Sequence, residues 1–335
     1  MRVNACPPND LEALRGAWQD ALQEVSARDP CLRTQAWAGN PTQSILGVGA
    51  TGEGLQPCLF VATEADVPAA RRFAQSFVDG AVKIRVTGEM AAQPAPPPAT
   101  SQGALHPLTG GAPLSRLDQG RATVATLGCI LPDTRGRPMA LSNMHFLAPT
   151  KGTAGAPSDL KVWAGPQGPV VAQVERWQQV TSQWKSWPNR MDAGVARLEE
   201  DVGPPQIGHI ATLGRISGTG VAMPGDVVHK RGATTGTTRG RVVSIMVSRR
   251  IQYSWAGQEG AEFVLSDCTE VANTDLGGAG AFSRPGDSGS AIVTPDGAGQ
   301  VSLVGLHFAG SATSAMYCPI EPVLETFALT IPREA

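Results

Sequence analysis

Ser288 stands in Pro285-Gly286-Asp287-Ser288-Gly289-Ser290, which runs into the apolar stretch Ala291-Ile292-Val293. A serine on a tight, glycine-flanked turn exposes its hydroxyl and leaves its own N–H free to face a developing oxyanion, which is what acyl transfer requires. Gly286 supplies the second N–H of such an oxyanion hole. In a chain this rich in glycine, the same turn taken alone reads as an ordinary lead into a strand. A hydroxyl nucleophile needs a base, and His145 lies in Ala140-Leu141-Ser142-Asn143-Met144-His145-Phe146-Leu147, where an apolar run gives way to a turn. The base in turn needs a buried carboxylate to fix its tautomer. Asp192, in Met191-Asp192-Ala193-Gly194-Val195-Ala196-Arg197-Leu198, is a short acid amid small and apolar residues. Taken singly, His145 reads as a structural histidine and Asp192 as a turn or strand-start residue. Together they supply base, orienter and nucleophile.

The chain order His, Asp, Ser is that of the chymotrypsin arrangement. Ser142-Asn143-Met144-His145, Asp192-Ala193-Gly194-Val195-Ala196 and Gly286-Asp287-Ser288-Gly289-Ser290 resemble the three catalytic blocks of trypsin-like serine proteases of the chymotrypsin fold. More narrowly, the chain is similar to the cytosolic bacterial and plant proteases related to the plant Narrow Leaf protease. That likeness runs through Thr126-Leu127-Gly128-Cys129, Lys230-Arg231-Gly232-Ala233-Thr234-Thr235-Gly236 and Val304-Gly305-Leu306-His307-Phe308-Ala309-Gly310-Ser311, and covers roughly residues 40 to 330. The resemblance implies a double β-barrel, with His145 and Asp192 from the first barrel, Ser288 from the second, and substrate in the cleft between them. It also implies a serine endopeptidase. Two departures are Ala233, where this group often has Arg, and Met144 before the histidine. No Arg/Lys-Ile-Val-Gly-Gly activation sequence precedes the barrel, so a freed N-terminus pairing with Asp287 is not expected. An α/β-hydrolase is excluded because Ser290 breaks the GxSxG elbow and the acid would have to follow the serine.

In this fold the primary pocket is lined by the residues before the nucleophile and by the strand after it, here Phe282, Ser283, His307, Phe308, Ala309 and Gly310. Phe282 stands six before Ser288, where a preference for Arg or Lys would need Asp. Gly305-Leu306-His307-Phe308-Ala309-Gly310 resembles the pocket strand of glutamyl endopeptidases and viral 3C-like proteases, whose histidine recognises Glu or Gln. A donor from a neutral imidazole and one from Ser283 would match carboxylate or amide oxygens. The competing expectation is a histidine that only packs against Phe308 and Tyr317.

The elements that must position these residues are short. Leu11, Leu14, Trp18, Leu22 and Val25 recur at three and four, predicting an amphipathic helix over residues 10–25 with Asp10 as its N-cap. Ile45-Leu46-Gly47-Val48-Gly49, Leu59-Phe60-Val61-Ala62-Thr63 and Val82-Lys83-Ile84-Arg85-Val86 read as strands, and Ala69–Ala74 as a helix. Residues 1–90 are thus expected to form a small α+β domain, an adaptor or regulatory unit. Residues 91–117, with Ala95-Pro96-Pro97-Pro98-Ala99 and Gly110-Gly111-Ala112-Pro113, are expected to be an extended linker. From 118 to 335 short apolar runs divided by turns predict antiparallel barrels, one over about 118–205 and one over about 206–335. The fold class expected is mainly β, a double six-stranded antiparallel β-barrel (chymotrypsin-like) preceded by the small α+β domain.

Composition closes off other classes. Lys+Arg total 27 against 29 Asp+Glu, so there is no basic surplus for phosphates, and nucleic acid is not an expected partner. No apolar run reaches bilayer length, the first ten residues lack a secretory core, and the six cysteines form no CxxC pair. A cytoplasmic chain with reduced thiols, no membrane contact, no metal and no cofactor is the expectation, with protein or peptide substrate and a regulatory partner reached through the N-terminal domain. Thr234–Gly240 lacks a phosphate-loop pattern and reads as a hairpin turn. Trp163, Trp177, Trp184 and Trp187 read as packing residues. Two other functions stay open: a catalytically silent binding scaffold, and a protease restricted to itself or one partner.

Overall fold

The protein is described by a computed structural model over residues 9–28, 44–52, 54–92, 107–118, 121–148, 160–166, 168–181, 189–253, 261–278, 280–297 and 299–332. Trp184, Trp187 and most of the proline-rich stretch lie outside the described residues. In chain order, the N-terminal part comprises α1 (Asn9–Arg28), β1 (Ile45–Thr51), β2 (Gln56–Val61), α2 (Val67–Gln75), β3 (Lys83–Val86) and β4 (Ala91–Ala92). Next come β5 (Pro113–Asp118), β6 (Arg121–Thr126), β7 (Cys129–Pro132), β8 (Pro138–Ser142), α3 (Met144–Leu147), β9 (Lys161–Trp163), β10 (Val170–Trp177) and β11 (Gly194–Leu198). The remainder comprises β12 (His209–Ile210), β13 (Gly214–Thr219), β14 (Val227–Gly232), β15 (Gly236–Tyr253), β16 (Ala261–Ala272), β17 (Ala291–Pro295), β18 (Gln300–Gly310), β19 (Ser314–Pro319) and α4 (Ile320–Phe327).

Strands β5 to β11 form one antiparallel sheet in the order β6-β5-β9-β10-β11-β8-β7. Its two end strands are consecutive in the chain, with only Leu127 and Gly128 between them, so the sheet curls back on itself. No ladder joins β6 to β7 among the described residues, so this sheet is a curled half-barrel whose two ends are linked by the covalent chain. The second barrel closes through hydrogen bonds: β18 pairs β17, β17 pairs β14, β14 pairs β15, β15 pairs β16, β16 pairs β19 and β19 returns to β18, every pair antiparallel. This is a mainly β, chymotrypsin-like double barrel, and the described helices are few. Alternation of buried and exposed residues along β14 and the first half of β15 follows from one face turned to the barrel core.

β15 is 18 residues long and reaches beyond the barrel. Its far half pairs antiparallel with β1, through Gly47 opposite Arg249 and Thr51 opposite Ser244. β2 continues the sheet from β1, and β3 lies parallel to β2 with α2 on the crossover, a β–α–β unit. The predicted N-terminal helix is present as α1, and Leu11, Leu14, Trp18 and Leu22 are its buried stripe against β1 and β2. Asp10 sits inside the first turn, because the helix starts one residue earlier. Of the stretch read as linker, Ala91–Ala92 forms β4, which pairs with Gln252 and Tyr253, and the residues from Pro113 form β5 of the first barrel.

Candidate active site

β8 delivers the chain to α3, a single turn whose residues Met144, His145, Phe146 and Leu147 are all buried. Asp192 lies two residues before β11, the strand paired with β8. The sheet register therefore places the two side chains together. The His145 N–H donates to Asp192 Oδ1 at 3.0 Å, and His145 Nδ1 donates to Asp192 Oδ2 at 2.5 Å. A carboxylate only accepts, so this contact fixes the ring proton on Nδ1 and leaves Nε2 as the basic nitrogen. Asn143 Nδ2 donates to the Asp192 carbonyl at 2.7 Å, tying the two turns from the backbone side. His145 and Asp192 have no exposed surface, and His145 Nε2 has no hydrogen-bond partner among the described residues. The Tyr253 ring meets the His145 ring edge-on at 5.9 Å. Burial, and then the neighbouring Asp192 charge, hold the Tyr253 phenol well above its ordinary pKa.

Ser288 lies on the turn ahead of β17. Thr126, at the end of β6, binds this turn to the first barrel. Its N–H donates to the Ser288 carbonyl at 2.8 Å, its hydroxyl donates to the Gly286 carbonyl at 2.9 Å, and its own carbonyl accepts from Ser142 Oγ at 2.9 Å. The turns bearing Ser288 and His145 therefore abut. Gly289 has φ of +92°, and a Cβ there would lie 2.3 Å from both Ser142 Oγ and the Thr126 carbonyl oxygen. Only glycine fits on both counts. The Gly286 and Ser288 N–H groups have no acceptor among the described residues, whereas the Gly289 and Ser290 N–H groups donate to the His307 and Asp287 carbonyls. Thr126 falls in one of the stretches of family likeness, but its connecting role is not readable from the sequence, because nothing local to it shows which turns its hydroxyl and backbone will meet.

Asp287, beside the serine, is buried in a cage of donors. Lys230 Nζ lies 3.0 Å from Oδ2, Thr235 Oγ1 2.6 Å from it, and the N–H groups of Thr234, Thr235 and Arg284 complete the set at 2.9 to 3.0 Å. Burial alone would raise the Asp287 carboxyl; the Lys230 ammonium and these donors outweigh it and hold it below the usual carboxylate range. A Cβ at Gly232 would sit 2.2 Å from Asp287 Oδ1, so that position also has room only for glycine. The counter-charge for Asp287 thus comes from within the chain, in the Lys230-Arg231-Gly232-Ala233-Thr234-Thr235 stretch.

A cavity of about 430 Å³ opens beside Ser288, lined among others by Ser283, His307, Ala309, Gly310 and Ala91. Four of the six residues expected to contact substrate are in this lining. Phe282 and Phe308 are not: both are wholly buried, Phe282 with Val228, Val242 and Ile292, Phe308 in the main core. His307 Nδ1 lies 2.9 Å from the Met316 carbonyl, and burial drives its pKa down to about 4. Solved structures similar to this chain are Thermobifida fusca Protease A (18% identity, 68% of this chain and 99% of that one, TM-score 0.46), a glutamic acid specific serine protease (19%, 67% and 99%, 0.44) and the alpha-lytic protease homolog N4 (17%, 67% and 99%, 0.47). No protein-family model and no curated protein matches the sequence. No group of three or more metal-ligating side chains occurs among the described residues, and no described helix is long and apolar enough to cross a membrane.

Proposed function

We propose that the chain is a serine endopeptidase in which Ser288 is the nucleophile, His145 the general base and then acid, Asp192 the orienter, and the Gly286 and Ser288 N–H groups the oxyanion hole. The observation that carries this reading is the Asp192 carboxylate holding both the His145 N–H and Nδ1, with Nε2 left as the only basic nitrogen, on a turn abutting that of Ser288. Nε2 takes the Ser288 proton as Oγ bonds to the substrate carbonyl carbon, and the oxyanion is met by the two N–H groups. His145 then passes the proton to the leaving amine, and water releases the acyl group by the same steps in reverse. The cytosolic, Narrow Leaf-like placement is part of the same proposal. Intact-mass labelling with a fluorophosphonate tests it: wild type is expected to gain one adduct, and Ser288→Ala and His145→Ala none. Absence of an adduct in folded wild type would sink the reading.

The finer proposal concerns the residue before the scissile bond. A carbonyl only accepts, so His307 Nδ1 donates to Met316, and the buried, neutral ring offers a lone pair at Nε2. It is an acceptor, opposite to the donor expected from the sequence alone. A Gln side chain matches it, with amide N–H to Nε2 and amide oxygen to the Ser283 hydroxyl; an ionised Glu brings two acceptors. Of the expected pair, Glu or Gln, Gln is the preferred residue at neutral pH, by about 10²-fold or more in kcat/KM. A matched pair of peptides differing only in Gln or Glu checks this. Equal turnover at pH 7, or a His307→Ala profile unchanged from wild type, would overturn it.

A further inference from the structure

β4 is wedged between the ends of two strands of the second barrel. Ala91 pairs parallel with Gln252 of β15 and antiparallel with Gly310 of β18. Gln252 N–H donates to the Met90 carbonyl at 2.9 Å, so by strand alternation the N–H and C=O of Ala91 itself point the other way, toward Gly310. The chain reaches this position firmly held. The Thr87 carbonyl accepts from Ser311 Oγ at 2.8 Å and Thr313 Oγ1 at 3.0 Å, the Gly88 carbonyl from Arg249 Nη2 at 2.5 Å, and the Glu89 carboxylate from Gln252 Nε2 at 2.9 Å. Thr87, Met90 and Ala92 are buried, and Ala91 lines the cavity with Ser288 and His307.

This is also where an extended peptide would have to lie. β17 leaves β18 after Leu306, and the flank beyond is met by the Ser288 turn at His307 and then by Ala91 at Gly310. A peptide bound by strand addition to that flank needs the backbone groups of Gly310. The direction also agrees. Because the Ala91 pairing is antiparallel, the chain running on from Ala91 heads back along β18 toward His307 and Ser288, as the residues preceding a scissile bond must. Ala92 pairs with Tyr253, whose ring meets that of His145 edge-on.

We propose that the segment Thr87–Ala92 is an intramolecular competitor for the peptide-binding flank of β18, held in place of the residues that precede a scissile bond, and that substrate gains the flank when this strap withdraws. The proposal deepens the endopeptidase reading and rests on it for the identity of the displaced ligand. The test uses full-length protein carrying Ser288→Ala and a fluorescein-labelled hexapeptide, Ala-Ala-Ala-Gln-Ala-Ala, with binding followed by anisotropy. Ala91→Pro deletes the N–H aimed at Gly310 and is expected to lower Kd at least tenfold. Ser311→Ala with Thr313→Ala removes both hydroxyls from the Thr87 carbonyl and is expected to lower Kd about threefold; it decides the matter if the proline variant does not fold. Unchanged Kd in the folded variants, or no peptide binding by any of them, overturns the proposal. Fluorophosphonate labelling of the same variants with Ser288 restored separates the two claims: tighter peptide binding without labelling would leave the strap and sink the endopeptidase, and labelling with unchanged Kd would sink the strap alone.

Discussion

Lys230 and His307 are both buried basic side chains, the first paired with a carboxylate and the second a neutral ring, and each carries a prediction. Lys230 has Asp287, Thr235 Oγ1 at 2.7 Å and the Phe282 ring at 5.3 Å as partners. Lys230→Met strands the Asp287 carboxylate with amide and hydroxyl donors and no counter-charge, which should cost about 3–5 kcal/mol, read from the urea midpoint at pH 7. Because the Asp287 carboxyl is held low in the fold, its contribution is present above the ordinary carboxylate pKa and is lost as pH falls toward the lower folded value. That acid-side loss should shrink in Lys230→Met. His307 has a folded pKa of about 4 against an ordinary value near 6.5, so the unfolded chain binds the proton first as pH falls. Wild type should therefore lose on the order of 3 kcal/mol between about pH 6.5 and 4 from this group. His307→Gln keeps a donor for the Met316 carbonyl and has no proton to gain, so its midpoint should fall less between pH 7 and pH 4.5. A parallel fall in both proteins would show that His307 titrates normally.

Between elements, the contact that matters is β6 against the Ser288 turn. Thr126→Val keeps the N–H to the Ser288 carbonyl but deletes the hydroxyl that serves Gly286 and accepts from the Ala233 N–H at 2.9 Å. Loss of about 1–3 kcal/mol is expected, since two buried backbone groups lose their partner, together with slower fluorophosphonate labelling. Unchanged labelling would show that the turn is held without Thr126. Residue type and short motif made the neighbourhoods of residues 145, 192 and 288 legible, because a tight glycine turn and a base beside a buried acid leave local signatures. Lys230 as the partner of Asp287 was not legible: the pair is far apart in sequence, and a lysine in an alternating strand gives no sign of being turned inward. The strands β1, β2 and β3 were readable from their apolar runs, but their joining to β15 was not, because alternation fixes a face and not a neighbour. The ring of His307 shows the same limit, since its tautomer depends on a carbonyl nine residues on, across a bulged pairing.

At the scale of the whole molecule, the N-terminal layer and the second barrel share one sheet. The guanidiniums of Arg85 and Arg249 both lie over the Phe60 ring, Arg85 also pairs with the buried Glu270, and Asn189 joins the first barrel to β16 by donating to the Val264 carbonyl at 3.0 Å. Deleting residues 1–86 should remove the Arg85 partner of Glu270 and bare the edge of β15 that β1 covers, giving an aggregating product instead of a free-standing pair of barrels. A soluble fragment with the parent's melting temperature would refute this. The long strand also orders events in time. The β1–β2 hairpin is almost wholly apolar, and its partner Arg249 lies about two hundred residues downstream of Gly47. At roughly 5–20 residues per second, a ribosome needs on the order of 10–40 s to deliver it. For that interval the nascent hairpin is without its finished neighbour, which makes it the natural client of a chaperone during synthesis.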